Sequence, residues 1–174
     1  TQCRILYQDA LGRMNIALKF NDMVRRGEIG PVMLGRDHHD TGGTDSPFRE
    51  TSNIKDGSNI MADMATQCFA GNCARGMTLA ALHNGGGVGI GKAVNGGFGM
   101  VLDGSERVDT VLRMAMPWDV MVGVSRRSWA GNEHALDTVR EYNERFADSD
   151  HITMPHLAED ALVRQALDAA GEGA

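Results

Sequence analysis

Two stretches concentrate the residue types that can do chemistry. The first runs from Gly35 to Ser52 and packs Arg36, Asp37, His38, His39, Asp40, Asp45, Arg49 and Glu50 into a polar, turn-rich span. Arginine binds anions through a planar fork of N–H donors, and Asp or His moves protons when held against a reacting atom. Arg36 and Arg49 are therefore the candidates for holding a carboxylate, and Asp37 and His38 for proton transfer. The competing reading is a solvated surface loop whose charges pair locally. A metal site is the weaker idea. His38 and His39 are adjacent and would point apart in an extended chain, and the sequence has no H-x-x-x-H or C-x-x-C spacing.

The second stretch is His83-Asn-Gly-Gly-Gly-Val-Gly-Ile-Gly-Lys92, which follows an apolar strand candidate. Without a Cβ, glycine lets backbone N–H groups approach an anion closely, which makes Gly85, Gly86, Gly87 and Gly89 candidates for contact with a cofactor. Gly86 to Lys92 fits the spacing of a nucleoside-triphosphate loop, but Ala93 stands where a Ser or Thr hydroxyl should hold Mg²⁺, and Val94 to Gly99 is a poor helix former. The dinucleotide fingerprint fails too: counted from Gly85 or Gly87, its third glycine falls on Ile90 or Lys92. No crossover helix separates the loop from Asp103, so a complete Rossmann half is not expected. A loop that touches a cofactor held elsewhere, or a turn-rich connection without a ligand, both remain open.

The elements that must position these loops alternate along the chain. Gly12 to Arg26 reads as a helix, with Met14, Ala17, Leu18, Met23 and Val24 at helical spacing and Gly27 as its stop. Pro31 to Leu34 is a strand candidate. Ser58 to Phe69 returns to helical spacing, and Met77 to Leu82 reads as a buried strand. A glycine-dense loop extends from Gly85 to Gly99, and Met100 to Leu102 reads as a strand end closed by Asp103-Gly104. Ser105 caps a helix bearing Val108, Val111, Leu112 and Ala115 that is expected to stop before Pro117. Two further helices follow, Asn132 to Phe146 and Leu157 to Ala170. Strands interleaved with helices imply an α/β fold of unpredicted strand order. Cys68 and Cys73 read as buried thiols, and the pairs Arg25-Arg26 and Arg126-Arg127 as solvated.

The 174 residues suit one domain spanning 1–174, with 132–174 as a helical tail. Apolar residues at 42% and charged residues at 23% argue for a packed globule over a disordered chain. A net charge of −6 implies no strongly basic nucleic-acid face, and no apolar run approaches the roughly 20 residues of a membrane span. Three cysteines without paired spacing fit a reducing, cytoplasmic setting. A chain that opens on Thr1 reads as a piece of something longer.

Three compound strings then stand out: GRDHHDTGGTDSPFRETSNIKDGS, ALHNGGGVGIGKAVNGGFGMVLDG and WDVMVGVSRRSWAGN. Together they resemble the C-terminal part of the urocanase family over about Arg4 to Asn132, and the longer form of that family more than the shorter. The shorter form has a different Arg-Asp-His loop, and an active-site cysteine where this chain has Leu6; Cys3 is three positions away and does not inherit that role. The resemblance implies addition of water to urocanate, giving imidazolone propionate in histidine degradation, by a cytoplasmic homodimer. It implies a tightly bound NAD⁺ acting as an electrophile, held mainly by a nucleotide-binding domain in the rest of the urocanase chain and touched by one glycine of the His-Asn-Gly-Gly-Gly loop, by position Gly87. Urocanate would then be the substrate met by Arg36 or Arg49. The alternative is a non-catalytic free-standing fragment or oligomerisation module.

Overall fold

A computed structural model describes residues 7–35, 62–84, 94–129, 131–148, 151–156 and 158–171. The chain divides into two compact units, Thr1–Val124 and Ser125–Ala174. The first holds α1 (Ala10–Arg25), β1 (Val32–Gly35), α2 (Ala62–Ala74), β2 (Leu79–Asn84), β3 (Val94–Leu102) and most of α3 (Glu106–Trp129). The second holds the end of α3, then α4 (Glu133–Arg145) and α5 (Asp160–Gly171). The fold is α/β, with helices and strands interleaved. The three strands form an antiparallel sheet in the order β1-β3-β2.

Alternation along β3 builds the core of the first unit. Phe98, Met100 and Leu102 point to one face and are buried there with Ala17 of α1, Met77, and Val108, Val111, Leu112, Ala115 and Met116 of α3. Val32 and Leu34 of β1 pack on the same cluster. The apolar stripe of α1 runs through Met14, Ala17 and Leu18 and then reaches Asn21, a polar residue that is completely buried. A buried amide is tolerable only when its hydrogen bonds are made. Asn21 makes three: its Nδ2 donates to Ser105 O at 3.0 Å and to Asp109 Oδ1 at 2.7 Å, and its Oδ1 accepts from Gly104 N–H at 2.8 Å. One turn on, Arg25 Nε donates to Gly104 O at 2.7 Å and its Nη2 pairs with Asp109 Oδ2. Gly104 sits at φ +85°, and a Cβ there would lie 2.8 Å from the backbone nitrogen of Arg25, so this turn admits only glycine. Ser105 then starts α3, accepting from Val108 N–H at 3.3 Å. Its N–H donates to Asp103 Oδ1 at 2.8 Å, and the Ser105 hydroxyl and N–H together hold the Asp103 carboxyl below the usual carboxylate range.

Four sequence expectations are corrected. Val94 to Gly99 is strand, not loop, because β3 is gripped on both sides: Gly99 pairs with Gly35 of β1 and Leu79 of β2, and Gly97 with Ala81. The helix after Ser105 does not stop before Pro117. It continues to Trp129 with Pro117 inside it and buried, and buried Met116 and Met121 on either side supply the packing that offsets a missing backbone donor, about 3 kcal/mol in an exposed helix. The strand after Met77 is not buried: β2 runs Leu79–Asn84 with Leu79 and Leu82 exposed, whereas Arg25 and Arg26 are exposed as expected, Arg26 pairing with Asp22 at 3.0 Å and Glu28 at 2.6 Å. Cys68 is buried as expected, whereas Cys73 is exposed near the end of α2.

In the second unit, Asn132 caps α4 by accepting from Ala135 N–H at 3.0 Å, and Ala135, Leu136 and Val139 are its buried face. Asn143 brackets Ile152, donating to its carbonyl and accepting from its N–H, both at 2.8 Å. Trp129 Nε1 donates to Thr153 O at 3.1 Å, fastening the same segment. No residue of α5 is buried.

Replacing Asn21 by alanine would strand the Gly104 N–H and loosen Asp109. The Asn21→Ala variant should lose about 2–4 kcal/mol in urea denaturation, since a buried donor is left unpaired. Lys19→Ala, which removes an exposed pair with Asp22, should stay within about 0.5 kcal/mol.

Candidate functional site

Arg36, Asp37, His38 and Arg49 lie outside the described residues, and so do Gly85, Gly86, Gly87 and Gly89. What the structure does define is where the chain departs toward them. Both β1 and β2 run antiparallel to β3, so their C-terminal ends point the same way. Gly35, the residue before Arg36, is opposite Gly99. Asn84, the residue before Gly85, is opposite Val94, where β3 begins. The polar and glycine-rich stretches therefore leave their strands in the same direction. Their points of departure are five positions apart along β3, roughly 17 Å at strand spacing.

Pleating assigns the faces. Gly35, Gly97 and Gly99 stand on the face turned away from the Phe98–Met100–Leu102 core. His83 pairs with Asn95 on that same outer face, at the mouth of the β2–β3 hairpin, and is half-buried. Glycine inside a strand marks a place where something approaches the backbone closely. At Gly99 that neighbour is the methyl end of Met33, with Leu79 alongside.

The described elements also bear on cofactor chemistry. β2 and β3 form an antiparallel hairpin, not the parallel pair of a βαβ crossover, so the described residues contain no Rossmann half. Among the described residues no group of three His, Cys, Asp or Glu side chains is placed to hold a metal ion.

Sequence reasoning missed the charged groups set on the helices beneath this sheet. Asp119 of α3 is buried, and its Oδ2 lies 3.9 Å from Arg13 Nη1 of α1. Arg75 lies over the Trp118 ring at 4.1 Å, and burial pulls its pKa below the usual arginine value. Trp118 in turn covers Gly71, where a Cβ would fall inside the indole. The available signal was Asp119 itself, a lone carboxylate within Trp118-Asp-Val-Met-Val-Gly123, where the neighbouring positions are apolar.

Comparison with known proteins assigns the chain. Residues 1–141 match the model of the urocanase C-terminal domain. The chain belongs to that family. It is 50% identical over 169 residues to the urocanate hydratase of Mus musculus, and 50% identical over 166 residues to that of Homo sapiens. Those alignments take in 96% and 95% of this chain but only 25% and 24% of the relatives, so the chain spans about a quarter of the length of the curated relatives it matches. The similarity thus extends beyond Asn132 into the helices that follow.

The two close glycine contacts differ in what must yield. At Gly99→Ala the new methyl meets the flexible end of Met33, which can swing aside, so thermal and urea melting should change by less than about 1 kcal/mol. At Gly71→Ala it meets a rigid ring already fixed beneath Arg75, and the same measurements should show a loss of about 1–3 kcal/mol.

Proposed function

We propose that this chain is the C-terminal part of a urocanate hydratase, a hydro-lyase that adds water to urocanate to give imidazolone propionate in histidine degradation. The observation that carries the reading is the sheet topology: the strands preceding the Arg-Asp-His-His stretch and the glycine stretch both run antiparallel to β3, so the two stretches leave in the same direction and one cleft can be served by both. The 50% identity to two urocanate hydratases supports it from a second direction.

In this reading Gly85, Gly86, Gly87 and Gly89 would present backbone N–H groups to NAD⁺, Gly87 being the glycine of the triplet assigned to the contact. When bound, NAD⁺ supplies an electrophile toward the imidazole ring. Most of its binding energy comes from a nucleotide-binding domain in the rest of the urocanase chain. Arg36 or Arg49 takes the urocanate carboxylate in a bidentate pair, which fixes the ring's orientation. Asp37 and His38 exchange protons with the ring and the incoming water. The working enzyme is a cytoplasmic homodimer.

The test is a chimera in which this chain replaces the matching quarter of the mouse enzyme. It should consume urocanate, measured by loss of its ultraviolet absorbance, and an inactive but folded chimera would count against the assignment. In that chimera Gly87→Ala should co-purify with less NAD⁺ while its melting temperature holds, because a methyl blocks close backbone approach. Asp37→Asn keeps the shape of the side chain and removes its ionisable proton. If Asp37 moves a proton, kcat should fall on the order of 10²–10⁴-fold with little change in KM. An unchanged kcat with a lowered melting temperature would make Asp37 a structural residue.

A further inference from the structure

The outer face of the sheet is apolar where an open antiparallel sheet is ordinarily polar. Met33 of β1 is 57% exposed, Leu79 of β2 is 53% exposed and Val101 of β3 is 37% exposed. They are not scattered. Met33 and Val101 are direct cross-strand partners, and Leu79 pairs with Gly99, one pleat along the same face. Because Gly99 has no side chain, the end of Met33 lies over it toward Leu79, and the three side chains make one continuous strip across all three strands. A contiguous exposed apolar patch is a mark of an interaction surface.

We infer that this strip is the seat on which the remainder of a urocanate hydratase polypeptide packs, and the inference rests on the function proposed above. Two observations select that occupant. The relatives matched along nearly the whole of this chain are about four times as long, so most of such a polypeptide is available to cover it. The strip also adjoins, on the same face, Gly35, after which the Arg36 stretch departs. A polypeptide seated on Met33, Leu79 and Val101 therefore lies beside Gly35, where the Arg-Asp-His-His stretch leaves β1. Helix α5 also exposes Leu162, Val163 and Leu167, but it lies beyond residue 141, where the family match ends.

Methionine oxidation reads this directly. Dilute peroxide is applied to the 174-residue chain and to the mouse chimera, and oxidation of each methionine is timed by mass spectrometry. In the chain alone Met33 should react as fast as Met114, which is 52% exposed, while fully buried Met100 stays protected and reports folding. In the chimera Met33 should slow at least tenfold, and Leu79→Lys should restore its reactivity. Met33 oxidising equally fast in chain and chimera overturns the inference, as does a chimera in which Met33 and Met100 oxidise together. Protection of Met33 that appears in the chain alone as its concentration rises also overturns it, because the occupant is then a second copy. A protected Met33 in a chimera that does not hydrate urocanate leaves the seat standing and removes the proposed function. Hydration with Met33 unprotected does the reverse.

Discussion

The buried amide of Asn21 ties α1 to a stretch of chain more than eighty residues away. It donates to Ser105 O and to the Asp109 carboxylate, and it accepts from Gly104 N–H. Arg25 adds a second grip on Gly104 and Asp109 from the next turn of the helix. Each bond alone is worth about 1 kcal/mol net, but leaving any one of these buried groups unpaired costs more than the bond contributes. The turn between β3 and α3 therefore has one solution, and it is the one that brings the apolar faces of α1, β3 and α3 onto a common core. Gly104 makes that approach possible, since its lack of a side chain leaves room for the Arg25 backbone. Ser105, fixed by the same contacts, is then in place to start α3.

Much of this was legible in the sequence wherever the local signal and the tertiary environment agree. The stripe Met14, Ala17, Leu18 and the stop at Gly27 gave α1 nearly to the residue, and Asn132 before Ala135, Leu136 and Val139 did so for α4. The failures have physical causes. Asn21 sits on the apolar stripe of α1, and periodicity counts only apolar residues, so a polar residue that is buried by design is invisible to it. Pro117 is a local stop signal overruled by burial of the residues around it. The first half of β3 carries glycines at 96, 97 and 99, which leave no side-chain alternation to read. That segment is a strand because two neighbours pair with it, and sequence order alone does not disclose those neighbours. The candidate site was legible in a different way. Its residues were found by chemical type and by resemblance to a family that the comparisons then bore out, while the roles of Asp37, His38, Arg36, Arg49 and the glycines remain proposals, because those residues lie outside the described ones.

The topology separates two duties along β3. Its C-terminal end, Leu102, runs directly into Gly104 and the Asn21–Arg25 clamp. Its N-terminal end, Val94, is opposite Asn84, after which the glycine stretch departs, while the polar stretch leaves from Gly35 opposite Gly99. Antiparallel pairing on both sides of one central strand forces this arrangement. β1 and β2 both run opposite to β3, so the two stretches leave their strands in the same direction, five positions apart along it. A sheet of three strands is small for such a task, and its outer face is too apolar to stand in water without consequence. The core side is completed from within the chain by α1 and α3. The other side exposes Met33, Leu79 and Val101, the strip on which we infer that the remainder of a longer polypeptide packs.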